Sequence, residues 1–204
     1  MPTEFRQLKQ LAKALGLTYQ QLLQRYRADR GDGAPRAAAI AWAQQEVQRA
    51  QEAKEREADD AAHALHASFA DSRTSRWAPL IFAPSLEVHA SLIRRVKVDR
   101  EVLPRLSLGH YLDAALRTEL PGQLACMEDL LESLGNSPLQ SSSSIRVTFR
   151  LGQEAHAAVS SLKSALTAAN LPHQKAHVVS ALTARFLATL PQGPATSPRN
   201  RKQG

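Results

Sequence analysis

The chain has 204 residues, of which 43% are hydrophobic, so it can bury one or two modest cores. No apolar run approaches the length of a bilayer span, and the polar start MPTEFRQLKQ lacks the apolar core of a secretory signal. We therefore expect a soluble, cytoplasmic protein without a membrane partner. A formal charge of +7 and a pI near 10.0 favour an anionic partner.

Residues 1–30 predict a helical hairpin. Apolar residues share one face of the first helix at Phe5, Leu8, Leu11, Ala12 and Leu15. Gly16 suits the end of that helix, and Thr18 suits the start of the next. The string LAKALGLTYQQLL resembles the paired helices of a helix-turn-helix. A helical hairpin used for oligomerisation explains the same pattern, so both interpretations stay open.

Residues 36–72 predict one long helix after the linker GDGAP at 31–35, because they contain neither Gly nor Pro. Apolar residues occupy heptad core positions at Ile40, Ala43, Val47, Ala50, Ala61 and Ala64. Lys54 and Glu57 interrupt this seam. The pattern is typical either of a short coiled coil or of a solvated connecting helix.

Residues 73–140 predict a mostly helical segment that begins with a loop, SRTSRWAPLIFAPS. We expect Trp77, Ile81 and Phe82 in this loop to pack onto a core. Further on, a short run of β-branched residues around Arg95 and Lys97 indicates a basic strand. Two amphipathic helices should follow, one from Ser107 to Leu120 and one over residues 123–134.

The stretch SSSSIRVTFRLGQE predicts a strand over residues 145–151. Its alternation puts Ile145, Val147, Phe149 and Leu151 on one face and Arg146, Thr148 and Arg150 on the other. Two helices follow, with apolar stripes at Ala155, Val159, Leu162, Leu166, Val178, Val179, Leu182, Phe186 and Leu190. A core of this size does not stand alone, and nothing nearby makes a hairpin with the strand.

The order strand, helix, turn, helix over residues 144–190 resembles the ribbon-helix-helix family of DNA-binding proteins. The resemblance implies that two copies pair their strands into a ribbon, which enters the major groove of double-stranded DNA. It also implies that Arg146, Thr148 and Arg150 contact the base edges in that groove. The hydroxyl that usually caps the second helix is missing, so His173 and Lys175 would supply phosphate contacts. It also implies a homodimer or a higher oligomer.

Residues 92–120 are a candidate for a degenerate second copy of this module. Arg95 and Lys97 would then form a second DNA-binding strand, and Pro104 would cut the following helix short. In that case the ribbon would form within one chain over residues 92–98, and a homodimer would not be needed.

We therefore expect a mainly α protein with a short β-ribbon, in which a helical N-terminal half precedes a ribbon-helix-helix module at 144–190 and a disordered basic tail at 191–204. The expected function is sequence-specific DNA binding in the nucleoid or on a plasmid, as a transcriptional repressor or a plasmid maintenance or transfer accessory factor. The alternative is a helical scaffold or adaptor that binds a protein partner through its N-terminal helices. No motif indicates an enzyme, a cofactor or a metal site.

Overall fold

The computed structural model describes residues 3–33, 35–120 and 143–194. It is mainly helical with a two-stranded antiparallel sheet, which confirms the expected fold class at that level. The elements in chain order are α1 (Thr3–Ala14), α2 (Tyr19–Arg30), α3 (Arg36–Asp71), β1 (Ala78–Phe82), α4 (Leu86–Asp99), α5 (Leu108–Thr118), β2 (Val147–Leu151), α6 (Gln153–Ala168) and α7 (Lys175–Thr189). The expected helix at 123–134 and the tail beyond residue 194 lie outside the described residues.

The chain divides into two compact units, unit 1 at Met1–Arg56 and unit 2 at Glu57–Gly204. Unit 1 contains α1, α2 and the start of α3 around a small core. Its buried residues are Leu8, Ala12, Leu22, Tyr26, Ala39, Trp42 and Ala43. In the middle of α3, residues 48–57 are exposed, so the predicted heptad position Ala50 is in solvent. None of the helices in the described part of the chain is long and apolar enough to cross a membrane.

Unit 2 repeats one order of elements, a strand followed by two helices. The first half consists of β1, α4 and α5, and the second half of β2, α6 and α7. The two strands pair with each other, and all four helices contribute to one core. Its largest fully buried side chains include Leu65, Leu92, Leu106, Tyr111, Leu112, Leu116, Phe149, Leu151, Leu162 and Phe186.

The loop predicted around Trp77 is wrong, because residues 78–82 form β1. The string APLIF is apolar throughout, so it lacks the alternation that identifies a half-buried strand. Pro79 is also unusual within a strand, since Pro cannot donate to a ladder. A two-stranded sheet consists of edge strands, where Pro is tolerated.

The basic strand predicted at 92–98 is also wrong, because these residues lie within α4. Ser85 caps this helix by accepting a hydrogen bond from the Val88 N–H at 3.3 Å. The buried positions recur with helical spacing at Val88, Leu92, Val96 and Asp99. Arg95 and Lys97 are therefore helical residues and supply no second strand.

Pro104 does not shorten a helix. It lies in the connection between α4 and α5, which spans residues 100–107. The proposed second copy at 92–120 therefore has the wrong boundaries: the strand and two helices of this half occupy residues 78–118. The ribbon within one chain forms with residues 78–82, instead of 92–98.

Candidate nucleic-acid interface

The two strands of unit 2 form a ribbon with one buried and one exposed face. In the antiparallel register Leu80 lies opposite Phe149, and Phe82 lies opposite Val147. Phe82, Phe149 and Leu151 are buried, so this face covers the core. The alternate residues point away from it. We call these exposed residues, Pro79, Ile81, Thr148 and Arg150, the ribbon face.

The β2 side of the ribbon face is polar and basic. Thr148 and Arg150 are exposed, as is Arg146, which precedes the strand. The Arg150 Nη2 donates a hydrogen bond to the Trp77 carbonyl oxygen at 3.0 Å, across the ribbon. Arg146 holds no hydrogen bond or ion pair with any other described residue. The structure thus brings together the three residues that the sequence predicts for reading bases.

The β1 side of the ribbon face is apolar. Pro79 lies opposite Arg150, and Ile81 lies opposite Thr148. Ile81 is 54% exposed, so the expectation that it packs onto a core is wrong. The ribbon face therefore has two unlike strands, one with hydrogen-bonding groups and one with hydrocarbon.

The start of α5 contacts one end of the ribbon. A Cβ atom added to Gly109 would lie 2.5 Å from the Arg150 carbonyl oxygen, so only glycine allows the helix to approach β2 this closely. The Asp113 Oδ1 accepts a hydrogen bond from the Gly152 N–H at 2.8 Å, just beyond β2. Arg117 lies 3.5 Å from the Asp113 carboxylate and 2.8 Å from that of Glu154. These contacts attach α5 to the end of β2 and the start of α6.

His110 fixes the first turn of α5. Its Nδ1 accepts a hydrogen bond from the Ser107 N–H at 2.9 Å, and its Nε2 is 2.9 Å from the Ser72 Oγ at the end of α3. The Trp77 ring lies 5.1 Å from the imidazole, centroid to centroid. Burial lowers the pKa of His110 below its usual 6.5, and this outweighs the opposing effects of Ser107 and Asp113. The folded arrangement therefore favours the neutral form of the imidazole.

The first half of α7 is attached to the segment that follows β1, beyond the other end of the ribbon. The Ser85 N–H, just after β1, donates to the Ser180 Oγ at 3.2 Å. Lys175 begins α7 five residues before Ser180, roughly 7 to 8 Å along the helix axis. His173 is exposed and Lys175 is half-buried at this start. Thus α5 begins against one end of the ribbon, and α7 is attached to the chain just beyond the other end.

Arg95 takes part in a buried network instead of a DNA-binding strand. Its Nε lies 2.7 Å from the Asp99 Oδ2, and its guanidinium also donates to the carbonyl oxygens of Pro191 and Gly193. The Tyr111 hydroxyl donates to the Asp99 Oδ2 at 2.6 Å. Burial raises the pKa of the Tyr111 hydroxyl above its usual value, and the Asp99 carboxylate raises it further. Lys97 is exposed on α4, apart from this network.

Sequence reasoning missed two buried carboxylates of unit 2. Asp99 and Asp113 are fully buried, yet each occupies a position that helical spacing assigns to the core. A charged residue on an otherwise apolar stripe, with an arginine four residues away, is a signal for a buried ion pair. Both Arg95 with Asp99 and Asp113 with Arg117 have that spacing.

None of the protein-family models, curated proteins or solved structures compared with this chain matches it. Within the described residues, no cluster of three or more His, Cys, Asp or Glu side chains is arranged to hold a metal ion. The geometry of the ribbon face is therefore the basis for a functional assignment.

Proposed function

We propose that unit 2 binds double-stranded DNA by placing its ribbon in the major groove, in the manner of the ribbon-helix-helix proteins that the sequence resembles. The observation that carries the proposal is the ribbon face, which exposes Thr148 and Arg150 on a paired, two-stranded ribbon. The major groove of B-DNA admits such a ribbon. The repeated strand-helix-helix order supplies both strands from one chain.

The side chains of the ribbon face suit the chemistry of base edges. Arginine donates two hydrogen bonds to O6 and N7 of guanine, and threonine offers a hydroxyl and a methyl group. Arg150 uses one nitrogen for the Trp77 carbonyl oxygen, and a guanidinium has five N–H donors, so enough remain for a base. Ile81 on the opposite strand would contact a thymine methyl group.

The start of α7 suits phosphate binding. A helix N-terminus attracts anions through its free N–H groups and its dipole. His173 is exposed at this start, and Lys175 adds a positive charge. The start of α5 differs, because Gly109 and His110 are buried there and Ser107 forms a capping box with His110. Phosphate contacts from the start of α7 would help to hold the ribbon in register along the groove.

The unlike strands predict that one ribbon reads an asymmetric site. A ribbon made of two identical strands would read a palindrome, whereas here the polar contacts come from β2 alone. A homodimer or higher oligomer would place two such ribbons on one DNA, but the ribbon itself needs no second chain. The proposed biological role is that of a transcriptional repressor or a plasmid maintenance or transfer accessory factor.

The test is selection of bound sequences from a random duplex pool by the intact protein, across a salt series. We expect enrichment of a short site without internal symmetry. The Arg146→Ala/Arg150→Ala variant should lose that enrichment and retain weak, salt-sensitive binding. Circular dichroism should show the same helix content as in the wild type, because both side chains are exposed.

The matched control is Arg94→Ala/Lys163→Ala, which removes two exposed positive charges from α4 and α6. It should enrich the same site as the wild type. If the ribbon variant also enriches that site, or if no variant affects binding, the ribbon does not read DNA. That result would favour the adaptor function of the N-terminal helices.

A further inference from the structure

The end of α3 and the connection between α4 and α5 enclose a cavity in unit 2. Its volume is about 460 Å³, which falls within the range of roughly 300 to 1,000 Å³ that is usual for small-molecule sites. We call it the α3 cavity. No residue of the ribbon face lines it, so it is a separate site. Its lining residues are Phe69, Ser72, Arg73, Leu103, Pro104 and Arg105.

Hydrocarbon forms much of the wall of the α3 cavity. Phe69 and Leu103 are half-buried and pack against the core of unit 2, and each also borders the cavity. Pro104 adds a rigid ring to the same wall. An apolar group placed against these three side chains would leave water, which is favourable in proportion to the apolar area that is covered. The wall therefore suits a ligand with a hydrocarbon body.

The two guanidinium groups beside the α3 cavity have no partner among the described residues. Arg73 and Arg105 are exposed, and neither holds a hydrogen bond or an ion pair there. None of the six lining residues is acidic. The arginine beside another cavity of unit 2 differs, because the Arg185 Nε lies 3.1 Å from the Glu119 carboxylate. The α3 cavity thus combines a hydrocarbon wall with two cations that lack a counter-charge.

Hydrogen bonds fix the wall of the α3 cavity next to α5. The Ser72 Oγ donates to the Phe69 carbonyl oxygen at 2.8 Å and lies 2.9 Å from the His110 Nε2. The His110 Nδ1 accepts from the Ser107 N–H, so the neutral ring carries its proton on Nε2 and donates to Ser72. The Phe69 ring lies 5.4 Å from the imidazole, centroid to centroid. Because the Ser72 hydroxyl hydrogen is already used, the donors for a ligand come from the arginines.

We propose that the α3 cavity binds a small organic acid. Its apolar body would lie against the hydrocarbon wall, and Arg73 and Arg105 would bind its carboxylate, since a guanidinium donates two parallel hydrogen bonds to a carboxylate. An anion without an apolar body would leave the wall in water, and an uncharged ligand would leave both guanidinium groups unused. The proposal is independent of DNA binding by the ribbon.

The experiment titrates the intact protein, without DNA, with benzoate, hydrocinnamate and cyclohexanecarboxylate. Amide NMR spectra report which residues respond. We expect at least one of these acids to shift the amide signals of Ser72, Leu103 and Arg105 in a saturable way. Acetate lacks the apolar body, and hydrocinnamyl alcohol lacks the charge, so both should bind far more weakly. In the Arg73→Gln/Arg105→Gln variant the affinity for the acid should fall by about tenfold or more, because charge-assisted hydrogen bonds are lost.

The matched control is Arg76→Gln/Lys97→Gln, which removes two exposed positive charges of unit 2 from outside the α3 cavity. It should bind the acid as the wild type does, and circular dichroism with thermal melting checks that both variants are folded. The proposal is wrong if none of the three acids shifts the lining residues, if acetate binds as well as the larger acids, or if both variants weaken binding equally. A loss of DNA binding in the Arg73→Gln/Arg105→Gln variant, without any response to the acids, would assign these arginines to the DNA backbone instead.

Discussion

The two halves of unit 2 share one order of elements, but they differ in what their strands and helices carry. The outer side of β2 has Thr148 and Arg150, whereas that of β1 has Pro79 and Ile81. The buried stripe of α4 ends in Asp99, whereas that of α6 ends in Leu166. On the ribbon face the β2 half thus exposes polar groups and the β1 half exposes hydrocarbon, and the buried carboxylates Asp99 and Asp113 lie in the β1 half.

This difference shows what joining two halves in one chain makes possible. In a homodimer, every residue on the ribbon occurs twice, so neither strand can specialise. In a single chain, the β1 half can hold the structure through buried polar networks while the β2 half presents the polar side of the ribbon face. The following changes test that division, from the largest expected effect to the smallest.

Replacing Asp99 by leucine, the residue at the corresponding end of the α6 stripe, should be strongly destabilising. Arg95 and Tyr111 would lose their shared acceptor in a buried site, and removing one partner of a buried ion pair costs roughly 3–5 kcal/mol. Urea denaturation measures the free energy of unfolding. Adding Arg95→Leu and Tyr111→Phe should restore part of the loss. If Asp99→Leu alone unfolds at the same urea concentration as the wild type, this network does not stabilise the β1 half.

Gly109→Val should destabilise unit 2 by about 1–3 kcal/mol, because the new Cβ meets the Arg150 carbonyl oxygen at 2.5 Å and β2 has to move. The second residue of α7 is Ala176, so the other half accepts a side chain at the same point of its helix. Thermal melting monitored by circular dichroism gives the effect.

The control for Gly109 is Gly193→Val in the same unit, where an added Cβ has no heavy atom within 4 Å. Its melting temperature should stay close to that of the wild type. Equal melting temperatures for both valine variants would show that the approach of α5 to β2 is not a constraint.

His110 should make stability depend on pH. Its folded pKa lies below the unfolded value of 6.5, so the unfolded chain binds the proton more readily. The stability that neutral His110 contributes is therefore complete above pH 6.5, and it decreases as the pH falls below that value. Protonation also removes the acceptor for the Ser107 N–H, an interaction worth about 1 kcal/mol. Urea midpoints between pH 7.5 and 5 measure the decrease.

The control substitution for this pH dependence is at His177, in the β2 half of unit 2. His177 is the third residue of α7, as His110 is of α5, and its buried Nε2 has no hydrogen-bond partner among the described residues. His110→Gln should flatten the pH dependence of the urea midpoint, and His177→Gln should leave the His110 contribution in place. A His110→Gln protein with the full wild-type slope would assign the titration to another group.

Much of the local structure could be predicted, because it depends on spacing within short segments. The alternation after Ile145 predicts a strand, and the structure has β2 at Val147–Leu151 with Thr148 and Arg150 on its exposed face. The three-and-four spacing of Val159, Leu162 and Leu166 likewise predicts α6. The pairing of β1 with β2 could not be predicted in this way, because the two strands are separated by more than sixty residues and no short-range pattern connects them.

The sequence by itself determined where most helices run, where β2 lies and which of its residues alternate. Only the tertiary structure decided that APLIF is the partner of β2 and that one chain supplies both strands of the ribbon. It also decided that Arg95 and Tyr111 share the Asp99 carboxylate as their acceptor. The physical reason is that helices are local in hydrogen bonding, whereas a strand is stable only against a partner. For a short apolar segment with a proline, that partner and the core beneath it select the strand conformation.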